Sequence, residues 1–281
     1  MNKAYTGTKV HKKTTTPISG FNGSIVQSCE PITNRIMIGI PATGLVRIEW
    51  VLARYGQVIP CNWSQSDMIH FIDQFSPLGF MVADARNLIS TKAVEGNFQW
   101  VFFVDHDTIM PPHTILTWNE HMLKGDVPVF GGVYFTKGIP SEPLVYRGNG
   151  TSYYTDWKFG DEVWVDGMGM GCTMIHVSVL KVMYDEAETY MIGPHHVKRI
   201  FQTPSKIGFD PQTMAWSAQS GTEDLAWCDK VRKTGVLKRA GWTDVAKKRY
   251  PFLIDTNVFC THINNDGTQY PSRGEERRFV K

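Results

Sequence analysis

Short apolar runs and longer amphipathic segments follow one another along this chain. The clearest apolar run is Trp100–Val104, in which five consecutive residues are apolar and three are aromatic. Such a run is typical of a strand buried on both faces near the centre of a parallel sheet. Apolar runs separated by segments of helical period predict alternating strands and helices. The sequence therefore predicts an α/β protein with a mostly parallel central sheet flanked by helices.

The same pattern predicts the individual elements. Strands are expected at residues 35–40, 57–60, 100–105, 127–134, 172–176, 252–255 and 258–262. Helices are expected at residues 45–55, 66–75, 83–94, 112–123, 177–184 and 223–234. Turn formers and alternating aromatic residues predict a small antiparallel excursion over 136–165. Residues 185–221 show no clear period, so we interpret them as a mostly irregular segment that serves as a lid or an acceptor loop.

The chain is interpreted as one main domain, because it contains neither an internal repeat nor a second hydrophobic core. Residues 1–30 are rich in Lys, Thr, Ser and Gly and have no period, which is typical of a flexible arm. This arm is basic, since its charged residues before position 30 are all lysines. Residues 31–265 are the predicted α/β domain, and residues 266–281 are the predicted C-terminal tail.

Composition does not favour a membrane protein. The chain has 42% apolar and 20% charged residues, as ordinary globular proteins do, and no window approaches the roughly 18 apolar residues of a spanning helix. Residues 1–17 contain no apolar stretch, so no secretory signal is predicted. The five cysteines are scattered without zinc-ligand spacing, which favours buried free thiols. We therefore expect a soluble protein without an integral membrane segment, in the cytoplasm, or in a host's cytoplasm if the protein is viral.

Positive charge is concentrated in one internal segment. Residues 229–249 carry eight Lys or Arg side chains against two aspartates, although the net charge of the whole chain is only +2. This segment contains Trp242 and is followed by Tyr250. A basic segment with interleaved aromatic residues can contact a phosphate-rich partner such as DNA. The alternative is a solvated helix face and loop.

Asp105-His106-Asp107 ends the central apolar run. Because a sheet core does not tolerate unpaired carboxylates, the strand must leave the core at Asp105. If the extended geometry persists, Asp105 and Asp107 point the same way and His106 points the opposite way. Two carboxylates at the carboxyl end of a parallel strand predict a divalent-metal site. The alternative is a pair of acids that cap a helix or lie in a solvated turn.

Several motifs follow one another in a recognisable order. They are Pro41-Ala42-Thr43, Ala85-Arg86-Asn87, Asp105-His106-Asp107, Gly131-Gly132, the glycine run Gly167–Cys172, Glu223-Asp224 and His262. Over residues 33–265 this set resembles the GT-A glycosyltransferases, especially the large inverting family with cellulose- and chitin-synthase-like catalytic domains. The resemblance implies a GT-A, Rossmann-like fold. The Gln-x-x-Arg-Trp motif and the lipid-facing helices of processive synthases are absent from the sequence, so a small, soluble, possibly phage-type enzyme that adds one sugar per event fits better.

The resemblance also implies a role for each motif. Asp107 would contact the metal, Asp105 would contact the metal or the donor ribose, and His262 would complete a site for Mn²⁺ or Mg²⁺. Asp224 would be the general base, with Glu223 as the alternative. The nucleotide-sugar pocket would be lined by Pro41, Thr43, Asp84, Arg86 and Gly169.

These roles describe transfer of a sugar from a nucleotide-sugar, by default a UDP-sugar, to a hydroxyl acceptor with inversion. The acceptor is left open among a glycan, a lipid, a protein and a hydroxylated base in DNA, the last suggested by the basic segments. Two alternatives remain. A sugar nucleotidyltransferase would need a Gly-rich basic loop after the first strand, which Pro41–Gly44 does not supply. A non-catalytic module that binds nucleotide-sugars or glycans would keep the pocket without turnover.

Overall fold

The computed structural model describes residues 34–59, 69–148, 150 and 152–280. The helices are α1 (Ile48–Tyr55), α2 (Val82–Glu95), α3 (Thr114–Lys124), α4 (Val177–Glu186), α5 (Glu223–Lys233), α6 (Val236–Arg239) and α7 (Thr243–Ala246). The strands are β1 (Asn34–Gly39), β2 (Ile69–Phe75), β3 (Trp100–Val104), β4 (Thr108–Ile109), β5 (Val129–Val133), β6 (Val145–Tyr146), β7 (Glu162–Val165), β8 (Gly167–Met168), β9 (Cys172–His176), β10 (Thr189–Ile192), β11 (His195–Lys198), β12 (Ser205–Asp210), β13 (Ala215–Ser220), β14 (Phe252–Phe259), β15 (Thr261–Ile263) and β16 (Gln269–Tyr270).

A seven-stranded sheet organises the domain, in the order β2-β1-β3-β9-β5-β14-β7. Five of these strands run in one direction, because β1 is parallel to both β2 and β3 and β14 is parallel to β5. The other two, β9 and β7, run antiparallel to their neighbours. With helices around the sheet and small antiparallel sheets beside it, this is a Rossmann-like α/β architecture. The prediction of an α/β protein with a largely parallel central sheet is confirmed.

The central strand β3 separates two hydrophobic cores. Val101 and Phe103 belong to the core on one face of the sheet, whereas Trp100, Phe102 and Val104 belong to the core on the other. This division follows from the two-residue period of a strand. All five side chains are buried. Both faces of β3 are therefore covered, as the apolar run predicts.

One predicted helix is a strand. Residues 69–75 of the predicted helix 66–75 form β2, an edge strand parallel to β1, and residues 66–68 lie outside the described residues. A short apolar segment fits both helix and strand periods, and pairing with a neighbour decides between them. The strand predicted at 57–60 is also wrong over its described part, since residues 57–59 form no strand.

Residues 185–221 are more regular than predicted. They contain two antiparallel pairs, β10 with β11 and β12 with β13. The second pair carries exposed apolar side chains, with Phe209 in contact with Trp216 at 5.6 Å between ring centroids. The antiparallel excursion predicted over 136–165 contains β6, which pairs with β8, and β7, which forms the edge of the main sheet beside β14.

The predicted C-terminal tail packs against the domain as far as residue 280. Strand β16 pairs with β15, and Phe279 is buried and stacked on Trp157 with ring centroids 4.0 Å apart. The carboxylate of Glu275 accepts a 2.5 Å hydrogen bond from the hydroxyl of Ser141. These contacts extend the packed domain beyond the predicted boundary at residue 265. The predicted arm at 1–30 lies outside the described residues.

Two further expectations concern cysteines and membrane segments. Cys172, Cys228 and Cys260 are free and buried, in keeping with the prediction for these three; Cys29 and Cys61 lie outside the described residues. Within the described ranges, no helix has both the length and the apolar character required to cross a bilayer.

Candidate functional site

The acidic motif forms a tight turn at the carboxyl end of β3. The amide of Asp105 donates to the carbonyl of Gly171 at 3.0 Å, and the amide of Thr108 donates to the carbonyl of Asp105 at 3.0 Å. The second bond closes a turn over 105–108, so the extended geometry expected through Asp107 does not persist. The condition under which Asp105 and Asp107 would point the same way is therefore not met, and their carboxylates have different partners.

Asp105 belongs to a buried ion network. Both of its carboxylate oxygens accept from Arg86 Nη2, at 2.9 and 3.1 Å, while Arg86 Nη1 donates to Glu223 Oε1. Arg86, from α2, is 2% exposed. Burial opposes its charge, but Asp105 and Glu223 keep its pKa above the usual value. Burial raises the pKa of Glu223, and Arg86 offsets part of that rise. The network joins α2, β3 and the first turn of α5.

Asp107 faces His262 and Lys137 instead. Its Oδ2 atom lies 2.5 Å from Lys137 Nζ and 3.3 Å from His262 Nε2. Burial would raise the pKa of Asp107, yet hydrogen bonds from His262 and Lys137 lower it well below its usual value. Asp107 is therefore an anion that two basic side chains surround.

The pairing of two short strands places His262 beside Asp107. His262 in β15 is opposite Thr108 in β4, and the amide of Ile263 donates to the carbonyl of Asp107 at 2.8 Å. His262 Nδ1 lies 2.8 Å from the carbonyl of Phe135. Because a carbonyl only accepts, Nδ1 carries a hydrogen. Nε2 therefore donates to Asp107 when the ring is protonated and presents a lone pair to the carboxylate when the ring is neutral.

This geometry fits a metal site in part. A lone-pair nitrogen and a carboxylate oxygen that face each other require a proton or a cation between them. The backbone carbonyl on the other ring nitrogen supplies the orientation that metal-binding histidines usually have. Asp107 and His262 are thus brought together as predicted. Asp105 does not join them, because both of its carboxylate oxygens accept from Arg86. Among the described residues, the one group of at least three metal-ligand side chains with ligand atoms within 4.8 Å of one another lies elsewhere in the fold.

His106 connects the acidic turn to the loop after β1. Its Nδ1 lies 3.2 Å from the carbonyl of Pro41, and its Nε2 lies 3.2 Å from Thr43 Oγ1. Of the two predicted pocket residues in this loop, Pro41 is buried and Thr43 is exposed. The loop therefore lies directly beside the acidic turn.

Tyr134 lies beneath the site and contacts the glycine run. Its hydroxyl accepts from the amide of Gly171 at 2.9 Å, and its ring packs edge-on against His262 with centroids 5.6 Å apart. Burial raises its pKa well above the usual value, and Asp105 and Asp224 raise it further, so the hydroxyl stays protonated. A Cβ at Gly169 would overlap this hydroxyl. Gly169 is therefore required for close packing on Tyr134.

We expect Gly169→Ala to disturb the site by displacing Tyr134. The added methyl would push the tyrosine off the Gly171 amide, and overpacking of this kind costs about 1–3 kcal/mol. Chemical denaturation measures the loss, with Gly208→Ala as a matched control because a Cβ at Gly208 meets nothing within 4 Å. Equal stability losses in the two variants would contradict the packing role of Gly169.

Asp224 and Asp84 occupy different surroundings. Asp224 is partly exposed in the first turn of α5, where its Oδ1 accepts from the amide of Leu225 at 2.8 Å. It directly follows Glu223, which binds Arg86, and its negative charge raises the pKa of both Arg86 and Tyr134. Asp84 accepts a 2.6 Å hydrogen bond from the hydroxyl of Tyr190. Its carboxylate is thus engaged with the β10–β11 hairpin rather than with the acidic turn.

Sequence reasoning missed two side chains of the site. Lys137 pairs with Asp107, and Tyr134 supports the glycine run. Both follow β5, and the segment Tyr134–Lys137 has no distinctive spacing in the sequence. A lysine shortly after a strand end carries no motif by itself. A tyrosine in an apolar strand end is indistinguishable from an ordinary core residue.

Comparison with known proteins finds likenesses among solved structures but none among family models or curated proteins. No protein-family model matches the chain, and no curated protein matches it significantly. Among solved structures the chain is similar to a protein described as "A197 from STIV", at 14% sequence identity and a TM-score of 0.48. That likeness covers 84% of this chain and 93% of the other.

Proposed function

We propose that this protein is a metal-dependent glycosyltransferase that moves a sugar from a nucleotide-sugar, by default a UDP-sugar, to a hydroxyl acceptor. The observation that carries the proposal is the approach of His262 Nε2 to within 3.3 Å of Asp107 Oδ2 at the carboxyl end of β3. Ligands commonly bind at this edge of a parallel sheet. A carboxylate and an oriented imidazole at this position suit a divalent cation such as Mn²⁺ or Mg²⁺.

Asp107 and His262 would hold that cation. When bound, it would neutralise the charge that develops on the departing diphosphate. Lys137 is the charge partner of Asp107 in the absence of the cation. Released from Asp107, its ammonium group would lie near the same negative phosphate oxygens and would add electrostatic stabilisation.

The nucleotide would occupy the edge formed by the loop after β1 and the acidic turn. His106 fixes these two segments to each other through Pro41 and Thr43. Arg86 is held between Asp105 and Glu223, so its role in the proposal is to orient Asp105 towards the donor ribose. Asp105 is 22% exposed and remains accessible at the surface of the site.

Asp224 would be the general base. Glu223 is engaged by Arg86 and is 7% exposed, which leaves the partly exposed Asp224 better placed to accept a proton from an acceptor hydroxyl. This carboxylate would take the proton as the hydroxyl attacks, and transfer would proceed with inversion.

We expect Asp224→Asn to lose transfer while keeping donor binding. The amide is nearly isosteric but cannot accept the proton, and general-base catalysis contributes typically 10²–10⁴-fold. Turnover should therefore fall by about that factor, whereas the donor Kd measured by calorimetry should change little. Glu223→Gln serves as the comparison. If Glu223→Gln loses more turnover than Asp224→Asn without unfolding, the assignment of the base is reversed.

The basic segment gives the DNA acceptor little support. Four of its eight basic side chains form ion pairs, namely Arg232, Lys233, Arg239 and Lys247. Trp242 is buried, with its indole N–H bonded to Ser178, so it is not available for stacking on bases. This is the arrangement of a solvated helix face. Residues 229–249 therefore do not favour DNA over the other hydroxyl acceptors, and the proposal leaves the acceptor open.

A donor panel tests the proposed function. The protein is incubated with Mn²⁺ and each of a set of nucleotide-sugars, and free nucleotide is measured over time, with and without a chelator. Slow release of one nucleotide that the chelator abolishes supports the proposal. Tight binding of a nucleotide-sugar without release would instead indicate a binding module. Release of pyrophosphate from a sugar phosphate and a nucleoside triphosphate would indicate a nucleotidyltransferase.

A further inference from the structure

A second group of metal-ligand side chains lies towards the other edge of the sheet. It consists of His121 from α3, Glu162 from β7 and Asp255 from β14, and one ligand atom from each lies within 4.8 Å of the others. Three strand-to-strand steps of about 4.8 Å separate β14 from β3, a lateral distance of roughly 14 Å. None of the three residues belongs to the site around Asp107.

The two acids of this group face each other across the sheet, so their negative charges repel. Asp255 and Glu162 are direct partners in the antiparallel ladder between β14 and β7. Like charges directly opposite each other in a sheet are destabilising, and Asp255 is only 4% exposed. Lys124 lies 3.3 Å from Glu162, but this bridge is about half exposed on both sides and such pairs contribute little. The arrangement therefore favours a further cation between the carboxylates.

The histidine presents a nitrogen to this position. His121 is 2% exposed, and its Nε2 lies 2.8 Å from Asp255 Oδ2. The other oxygen of Asp255 accepts from the backbone amide and the side-chain amide of Asn257, both at 2.9 Å. These two bonds fix the carboxylate so that Oδ2 is directed at the imidazole. Outer contacts of this kind are what orient metal ligands in proteins.

The alternative is a buried His–Asp pair held together by a proton. That pair accounts for His121 and Asp255, but it leaves Glu162 facing a buried carboxylate without a strong partner. Glu162 is exposed, so the group opens to solvent on that side and a cation can enter. A divalent ion would satisfy all three side chains at once.

We propose that His121, Glu162 and Asp255 form a binding site for a divalent transition metal, with Zn²⁺ as the preferred ion. One imidazole nitrogen and two carboxylate oxygens are three protein ligands, and water would complete a four-coordinate shell. The ion takes the place of the hydrogen between His121 Nε2 and Asp255 Oδ2, and the neutral ring that binds it carries its hydrogen on Nδ1. Binding would link α3 to the edge of the sheet, and it does not depend on the proposed function.

Zinc titration in the full chain tests this site. The background variant Asp107→Ala/His262→Ala removes the other pair of ligands, and calorimetry with Zn²⁺ should then still find one equivalent bound. Glu162→Gln in that background should weaken zinc binding by about 100-fold or more, because even outer-shell partners are worth 10–100-fold. Glu188→Gln, which changes another exposed glutamate, should leave the affinity unchanged.

Glu162→Gln is the decisive variant because the side chain of Glu162 is exposed and its loss should not unfold the protein. The Co²⁺-loaded background protein adds a spectroscopic measurement, since its visible absorption bands report the ligand set and should be lost in Glu162→Gln. Absence of zinc binding in the background variant would overturn the proposal. Equal zinc affinities of the background protein with and without Glu162→Gln would overturn it as well.

Discussion

Asp107→Ala is expected to abolish metal-dependent release of nucleotide from the donor. The variant removes the only carboxylate in the described part of the chain that faces His262 Nε2. A bound cation is worth several kcal/mol of charge stabilisation in the transition state. A loss of about 4 kcal/mol corresponds to roughly a thousandfold decrease in kcat/KM. Steady-state kinetics with Mn²⁺ and the donor found on the panel would measure it.

A matched control separates loss of the ligand from loss of a surface charge. Asp185→Ala removes an exposed carboxylate whose partner is Lys181, one turn earlier in α4, and kcat/KM should be unchanged. Lys137→Met tests the opposite effect on the metal site. It removes the ammonium group that competes with the divalent cation for Asp107. Mn²⁺ should bind this variant more tightly than the wild-type protein. Metal-dependent activity that survives Asp107→Ala would remove Asp107 from the proposal.

The fold was predictable where the hydrophobic period was unambiguous. The apolar run of β3 is both long enough and bounded clearly enough to indicate a strand buried on both faces, and β9 and α2 were likewise predicted within a residue or two. Ile69–Phe75 was mistaken for a helix because seven residues do not separate the two periods. Its parallel pairing with β1 is a long-range contact that the local sequence does not encode.

The site was predictable only as a set of candidate residues. Sequence order placed Asp105 and Asp107 at the end of one strand, but the hydrogen bond that turns the chain at Thr108 sends them to different partners. Pairing of β15 with β4 brings His262 beside Asp107, although the two residues are 155 positions apart in the sequence. The sequence predicts that His262 lies at the end of a strand, but it does not predict which residue that strand end contacts. Lys137 has no sequence signal, because its role depends entirely on that folded geometry.

Arg86→Met is expected to be the most destabilising single substitution in the site. The methionine fills similar space but leaves Glu223 buried and Asp105 partly buried without their cation. Removing one partner of a buried ion pair typically costs about 3–5 kcal/mol. Urea unfolding at pH 7 would measure the free energy of unfolding. Arg199→Met is the matched control, since its bridge to Glu188 is exposed and should contribute less than about 1 kcal/mol.

The loss in Arg86→Met should also depend on pH in a defined direction. Burial already raises the pKa of Glu223 in the folded protein, and without Arg86 the main opposing effect is removed. The pKa of a glutamate in the unfolded chain is about 4.3. When the pKa in the folded protein is higher than this, the folded state becomes less stable as the pH rises above about 4.3. The free energy of unfolding of the variant should therefore lie closer to that of the wild-type protein at pH 4 than at pH 7.

Adding Glu223→Gln to Arg86→Met should recover part of the lost stability at pH 7, because the buried charge is then gone. A deficit that is the same at both pH values, or no larger than that of Arg199→Met, would show that the Arg86 network does not hold α2, β3 and α5 together.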